Sequence, residues 1–590
     1  MGFANFLTEI RRRRVFRMTA WYVVGSWVLI QVASEALPAL DLDESFIKYF
    51  WLAALGGFPI AIIFSWRYDI TIHGIKRTAS GVEIRPDELR LSLTDYFLLS
   101  ALGVFAAVGV YNLSQKALEE VAVLEVAPES RDIKEKSVAV LPLENLSPES
   151  TEAYFVTGMY DSLISNLGKI NALQVTSRTS ASRVNTSQGI AYVGRKLGVR
   201  YVIEGSVFRE GNRVRIAVKL IDTFSDQHVW SESYERPFDD VMAIQANVAR
   251  TVARIVQAKL TAQDEDQLTR VLEIRPETFE AYLRAMFEYQ KETQEGYQKG
   301  IEILEQALAN DPTSALAYAA LGQGYSELVH SVLPVMEAMK RARFAVEKAV
   351  ELDPTLAEAH LALAMKQFYG DWDLESAEKS LKKAIELNPS LSDAWYQLAW
   401  WLELEGFDDE AIAAGEKTVE LSPLSSFYVS WLAEQYRDAG DYDKAIELAE
   451  SVLALSPNYP VAWYALGNVY LEQGRYEDAI AAHTKIAHRP FWAFAFGQTL
   501  AWAGEPEKAL EVAKGYEHEP ANAIPLTVIY AALGDVDKTV YWSSQAREQK
   551  LPWALGLFSY NTAPRSLYKD PRIQNEAALY PTPLVPFPKN

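Results

Sequence analysis

Seven histidines and 78 acidic residues are the side chains of this 590-residue chain that could move protons or hold a metal ion. Their spacing assigns neither task. The histidines are scattered, and His483 and His488 in HTKIAH stand five residues apart, whereas a helix brings residues four apart onto one face. His228, two residues before Trp230, is a lone histidine and makes no metal site. There is no cysteine, which excludes disulfides, thiolate zinc sites and cysteine nucleophiles. No phosphate-cradling GxxxxGK loop, GxGxxG turn, HExxH helix, GxSxG elbow or calcium-binding EF-hand loop occurs. Carboxylates are spread along the whole chain, so an acid–base pair would leave no signature of its own. The polar set with a visible pattern is Glu204, Arg209, Arg213, Arg215 and Asp222, which alternate along neighbouring predicted strands. Cross-strand ion pairs on a solvated sheet face account for that pattern. No catalytic residue, metal ligand or cofactor is predicted, and the chain is read as a non-enzyme.

The elements that would position any site begin with an unusual N-terminus. Apolar residues make up 49% of the chain and charged residues 23%, a composition of folded protein. The net charge of −21 is uneven: residues 1–115 carry 11 basic and 10 acidic side chains, residues 116–590 carry 46 and 68. So acidic a body would release no phosphate counterions, which argues against nucleic acid as a partner. Met18–Leu40, Phe46–Trp66 and Asp95–Leu113 are apolar over the roughly 20 residues a helix needs to cross a bilayer. Arg11, Arg12, Arg13, Arg14 and Arg17 precede the first run, and Arg67, Lys76, Arg77, Arg85 and Arg90 lie between the second and third. The positive-inside rule then predicts a three-helix anchor over residues 1–115 in a bacterial inner membrane, N-terminus cytoplasmic, with everything after about residue 115 in the periplasm. Gln31 and Glu35 share a helical face, with Glu35 near the outer, wet end.

After a charged linker, residues 116–134, the pattern changes. KSVAVLPLEN and LQVTSR suit buried strands, while TEAYFVTGMYDSLISNLGKI and AYVGRKLG suit helices, the latter ended by Gly198. VRYVIEGSVFREGNRVRIAVKLIDTFSDQHVWSESYE reads as three strands, turning at Gly211-Asn212 and at Thr223–Asp226. DDVMAIQANVARTVARIVQAKL reads as a helix capped by Asp239 or Asp240. KSVAVLPLENLSPE, RTSASRV, LGVRYVIEGSVFREGNRVRIAVKLIDT and HVWSESYERPFDDVMAIQ together resemble the TolB-like amino-terminal domain of bacterial proteins. The resemblance covers residues 135–262 and implies a small α/β fold used for protein contact, placed behind a membrane anchor or signalling module and ahead of tetratricopeptide repeats. A nucleotide cyclase or DNA-binding module often stands in front of this domain in such proteins; the sequence shows neither here.

Prolines 312, 354, 389, 423, 457 and 490 recur at intervals of 42, 35, 34, 34 and 33 residues, after tails such as AVELDP, AIELNP and VLALSP. Gly406, Gly440 and Gly474 recur with them, as do Ala411, Ala445 and Ala479. The units resemble tetratricopeptide repeats, helical hairpins that nest through small residues and turn at glycine. About eight units are expected over residues 277–550, with a longer second one at Ala315–Pro354. SLYKDPRIQNEAAL is expected as a polar-faced cap and PTPLVPFPKN as a loose tail, within residues 551–590. In tetratricopeptide domains that clamp a carboxylate, an asparagine stands at a fixed inner position; Asn468 matches, whereas Gln323, Trp400 and Glu434 hold the equivalent places. These four are the candidate protein-binding residues, although they do not form a carboxylate clamp. Trp395, Trp400, Trp401, Trp431, Trp463 and Trp492 are expected in the core.

The expected fold class is therefore multidomain: N-terminal transmembrane helices, a small α/β (TolB-N-like) domain and an all-α tetratricopeptide solenoid. The expected function is a membrane-anchored scaffold that presents a periplasmic platform to neutral or basic protein segments, with the lipid bilayer as its other partner. The alternative is a sensory membrane protein relaying periplasmic binding to the cytoplasm.

Overall fold

The computed structural model describes residues 133–147, 153–270, 274–291, 293–328, 335–518, 522–558 and 565–582, together with 22, 25, 26, 58, 68–71 and 74–77. The chain divides into two compact units, Met1–Glu125 and Val126–Asn590. In the first, strands β1 (Tyr68–Thr71) and β2 (Gly74–Arg77) pair antiparallel, Tyr68 opposite Arg77. Among the described residues no helix is long and apolar enough to cross a membrane. The longest, Val335–Leu352, reads VMEAMKRARFAVEKAVEL and carries charge throughout. This corrects the expected fold class: the described residues form a mostly helical solenoid with a small mixed sheet, and no membrane-spanning helix is among them. Apart from residues 22, 25, 26 and 58, the three expected spans lie outside the described residues. The expected inner-membrane location with a periplasmic body is likewise corrected, since no described helix supports an anchor.

The second unit opens with the sheet. Strands β3 (Lys134–Val140), β4 (Glu144–Asn145), β5 (Gln174–Val175), β6 (Val199–Glu210), β7 (Arg213–Asp222) and β8 (Gln227–Pro237) form it, in the order β5-β3-β6-β7-β8, with β4 also on β6. β3 runs parallel to β5 and β6, and β6, β7 and β8 form an antiparallel meander. Glu210 pairs with Arg213, which leaves Gly211-Asn212 as the two-residue turn the sequence predicts; Gly211 has φ +58°. Alternation sends Val138, Val140, Ile203, Val207 and Val218 to one face, where helices α1 (Ala153–Gly168) and α4 (Val241–Ile255) cover them. Ala139, Leu141 and Val202 face α2 (Arg178–Arg183) and α3 (Ile190–Leu197). LQVTSR yields only two strand residues, because the Ser177 hydroxyl accepts from Ser180 N–H at 3.4 Å and starts α2 there. Asp240 does occupy the N-cap of α4, but its side chain makes no capping bond.

Helix α5 (Ala262–Arg270) leads into the hairpins. They pair α6 (Pro276–Tyr289) with α7 (Gln294–Asn310), α8 (Ala315–Leu328) with α9 (Val335–Leu352), α10 (Ala357–Met365) with α11 (Leu374–Leu387), and α12 (Ser392–Leu404) with α13 (Asp408–Leu421). Then follow α14 (Ser426–Asp438) with α15 (Tyr442–Leu455), α16 (Pro460–Glu472) with α17 (Tyr476–Thr484), α18 (Ala493–Trp502) with α19 (Pro506–Tyr516), and α20 (Ala523–Ala532) with α21 (Val536–Glu548). Gly406, Gly440 and Gly474 all have φ between +72° and +82°, and the following N–H of Phe407, Asp441 and Arg475 reaches back five residues to close the helix. Ala411, Ala445 and Ala479 are fully buried where the helices nest. The third hairpin departs from this pattern. A π-helical turn, Lys366–Asp371, extends α10, and Trp372, not glycine, takes the left-handed position at φ +61°.

The sheet region docks on the loops between hairpins, the same Pro-containing loops that mark the repeat. Ser177 N–H donates to Leu421 O at 2.8 Å, Val175 N–H to Ser390 Oγ at 3.0 Å, and Leu424 N–H to Ser180 Oγ at 2.9 Å. Lys134 pairs with Glu420. α1 lies on α6 so closely that a Cβ on Gly158 would stand 2.6 Å from Leu283 Cδ2. Gly158→Leu should therefore cost about 1–3 kcal/mol by overpacking, read as a lowered urea midpoint; an unchanged midpoint would show that this contact is absent.

Arg209 corrects the reading of the polar strand residues. Arg213 and Arg215 do pair with Glu235 at 3.6 and 3.1 Å in the open, but the Arg209 guanidinium is buried between the Phe155 and Phe238 rings. There it donates to the Tyr154 hydroxyl at 2.9 Å and approaches Glu280 of α6 at 3.4 Å, so it joins sheet to solenoid. Asp222 accepts from Arg200 at 2.6 Å and from the N–H groups of Phe224 and Ser225 in the second turn.

Candidate functional site

The first helix of each hairpin contributes to the wall of a cavity. Two cavities open there, of about 680 and 180 Å³, and Trp553 lines both. Trp553 comes from the short helix Pro552–Gly556, which turns inward after the last hairpin instead of capping the stack. Its ring stacks on Trp431 at 5.6 Å and lies 5.1 Å from Trp400. Leu555 beside it is fully buried among Phe368, Leu398 and Trp400. The Lys550 ammonium donates to Gly370 O and Asp371 O at 3.1 Å each, and Tyr580 stacks on Trp372 at 5.5 Å. The π turn and its left-handed tryptophan are thus the seat of the C-terminal segment. The segment SLYKDPRIQNEAAL packs Leu567, Tyr568, Ile573 and Ala577 inward and exposes Lys569, Arg572, Gln574 and Asn575; the Pro-rich tail lies, from 583 onward, outside the described residues.

The larger cavity lies between α1 and the inner helices α6, α8, α10, α12 and α14. On its sheet side Arg178 Nε sits 2.7 Å from Asp161, and Gln290 bridges the two, accepting from Arg178 and donating to Asp161 at 2.7 Å each. Burial pushes the Asp161 carboxyl up to about 6 against the pull of Arg178 and Gln290. Ser165 donates to Glu358 Oε1 at 2.8 Å, while Glu358 Oε2 has no partner. On the far side the Tyr369 hydroxyl donates to Gln397 at 2.8 Å, and Tyr396 packs on Phe427 at 5.1 Å.

The smaller cavity has aromatic walls, including Trp431, Tyr464, Phe494 and Trp492, and a buried ion cluster. Arg437 is shared by Glu434 at 3.1 Å, Asp438 at 2.8 Å and Glu472 at 2.6 Å. Asn468 donates its amide to Glu434 Oε2 at 3.0 Å.

The four candidate residues therefore all lie on first helices of hairpins but not in one site. Gln323 lines the larger cavity; Glu434 and Asn468 meet in the smaller; Trp400 is buried beneath Trp553 and 4.8 Å from Phe368. The equivalence that selected Asn468 also selects Glu434, and the structure pairs them as hydrogen-bond partners. Of the tryptophans expected in the core, Trp400 and Trp401 are buried, whereas Trp431 and Trp492 form cavity wall. Arg437, three residues after Glu434, had a readable helical spacing. Trp553 had none, because it lies beyond the repeats.

His483 is a packing residue. Its ring is fully buried, with Nδ1 2.7 Å from the Thr499 hydroxyl and Nε2 3.3 Å from Tyr464 O. A Cβ on Gly467 would meet Nε2 at 2.3 Å. Burial lowers its pKa to about 4, so the folded chain holds it neutral. The unfolded chain binds the proton first as pH falls. This stability is fully present above pH 6.5 and is lost as pH drops through about 4, an effect on the order of 3 kcal/mol. His483→Gln should flatten the stability–pH curve in that window relative to the parent; parallel curves would refute the assignment.

Residues 436–487 match a tetratricopeptide-repeat family. That stretch, within the fifth and sixth hairpins, is similar to tetratricopeptide repeats. Residues 134–251 match the second domain of HilA/YgeH-like transcriptional regulators, where the sequence resemblance had pointed to a TolB-like domain. The "Putative adenylate cyclase 3" of Rhizobium meliloti (strain 1021) is 30% identical over 234 residues, 39% of this chain; the match spans only 40% of that relative. Among solved structures, MamA is 27% identical over 28% of this chain and 92% of its own, with a TM-score of 0.23. YrrB, described as a tetratricopeptide protein with an unusual peptide-binding site, is 22% identical over 31% of this chain and 91% of its own, TM-score 0.23. The pilF protein of Pseudomonas aeruginosa is 18% identical over 41% of this chain and 93% of its own, TM-score 0.26.

Proposed function

We propose that this chain is a non-catalytic scaffold that holds a protein segment in the concave groove of its solenoid. The observation that carries the reading is the larger cavity, bounded by tetratricopeptide inner helices on one side and by α1 and Arg178 on the other. Such solenoids present extended concave surfaces, and a helix or extended peptide is what their curvature fits. Several polar groups of the wall are occupied by one another, as in the Asp161–Arg178–Gln290 and Tyr369–Gln397 pairs, which suits a binding surface. With 68 acidic against 46 basic residues after residue 115, a neutral or basic segment is favoured over an acidic one or a nucleic acid. We take residues 135–262 as the contact domain, in keeping with the TolB-like resemblance, and 277–550 as the platform. The name of the cyclase-like relative belongs to a protein matched over less than half its length, and we do not extend that activity to this chain.

The test places a photo-crosslinking phenylalanine analogue at Gln323, in the groove, or at Lys379, an exposed residue of α11. Full-length protein in its own cells should give a discrete adduct from position 323 that position 379 does not give. Equal labelling from both, or from neither, would refute the groove as the binding surface.

A further inference from the structure

The smaller cavity sets a cluster of charged side chains within aromatic walls. Its volume is about 180 Å³, the scale of one small group and not of a helix. Trp431 and Trp553 stack at 5.6 Å along one wall, and Tyr464 and Trp492 lie 5.0 Å apart in another. Phe491, an exposed ring 5.2 Å from Trp492, also lines it. Into this apolar box the fold sets charge. Glu434, 3% exposed, lines the cavity; its Oε2 takes both Asn468 and Arg437, and its Oε1 has no hydrogen-bond partner. Glu472 and Glu403 line the same cavity, and Arg437, the single cation among its described lining residues, shares its two terminal nitrogens among three carboxylates. A buried carboxylate oxygen without a donor is costly, and aromatic faces attract positive charge. An anion would meet like charge here, and a neutral apolar group would leave Glu434 unanswered.

We infer that this cavity binds an organic cation, an alkylammonium group held against the indole and phenol faces with the Glu434 carboxylate as counter-ion. The inference rests on the scaffold reading only for the source of that group: a lysine or methyl-lysine side chain of the docked segment, or a free small amine. A weakly hydrated, methylated ammonium suits aromatic walls best.

The experiment uses the full-length chain, calorimetry and the fluorescence of the cavity tryptophans. The probes are choline, trimethyllysine capped at both ends, and the uncharged analogue of choline in which carbon replaces nitrogen. Both cations should bind, with the uncharged analogue weaker by about tenfold or more. Glu434→Gln should weaken the cations by a similar factor. Phe491→Ala, which leaves the ion cluster intact, should weaken them severalfold without moving the urea midpoint. Equal binding of the uncharged analogue, or no binding of either cation, would overturn the inference. Neither outcome bears on the crosslink at Gln323, so the cavity and the groove fail separately. Preference for the capped trimethyllysine would support a side chain of the partner as the source; preference for choline would support a free amine and still support the cavity.

Discussion

Trp553→Ala is expected to destabilise the folded chain by about 3 kcal/mol, the lower end of the range for removing a large aromatic, because the ring is half-buried. The ring bridges Trp400 on α12 and Trp431 on α14, and it lines both cavities. The neighbouring contacts depend on the same insertion: Leu555 in the aromatic cluster, the Thr582 hydroxyl donating to Leu555 O at 2.7 Å, and Lys550 on the π turn. Lys550 itself sits at φ +48°, a conformation costly for a residue with a side chain and stable only while its partners hold it. The variant should therefore show two changes together, a lowered urea midpoint and new protease cleavage within residues 551–558. A loss below about 1 kcal/mol with an uncut segment would mean that the C-terminal segment is held by other contacts.

Arg437→Leu should cost still more, about 3–5 kcal/mol, because it strands a buried carboxylate. The side chains of Arg437 and Glu434 are 11% and 4% exposed, so water cannot replace the lost partner at Glu434. Glu472 is better placed: it is 20% exposed and keeps the Tyr442 hydroxyl at 3.2 Å. Burial already pushes the Glu434 carboxyl up, with Arg437 pulling against it; without the guanidinium the carboxyl rises further. The loss should accordingly shrink as pH is lowered and Glu434 takes up a proton. Replacing both residues, Arg437→Leu with Glu434→Leu, should recover most of the stability, since the penalty belongs to the unpaired charge and not to the absence of the pair. Urea titrations of the two variants at neutral and mildly acidic pH decide this. A double variant as unstable as the single one would show that the cluster stabilises by itself.

Much of the solenoid was legible because its determinants are local. A glycine in each turn is needed for positive φ within a few residues of the helix it ends, and an alanine is needed where two adjacent helices touch, so both recur at the repeat period. The third hairpin escaped that reading: the π turn shifts the chain relative to its neighbours, and Gly370 no longer coincides with the left-handed position that Trp372 takes. Arg209 escaped it for another reason. Strand alternation says which face a side chain takes, but not that α6, some 70 residues later, will cover that face. Asn468 and Glu434 were singled out as equivalent inner positions. Nothing in their spacing of 34 residues said that they would bond to each other, yet successive inner helices place them side by side.

Repeat period, turn chemistry, strand alternation and the acidic balance follow from short-range pattern, where each residue answers to neighbours a turn or a strand away. The closing of the groove does not. The insertion of Trp553 against Trp400 and Trp431 depends on small rotations accumulated over several hairpins. The docking of the sheet on the interhairpin loops likewise needs those loops aligned along one edge. Such long-range coincidences leave no period in the chain, which is why both cavities, and the charge buried in the smaller one, emerged only from the packed structure.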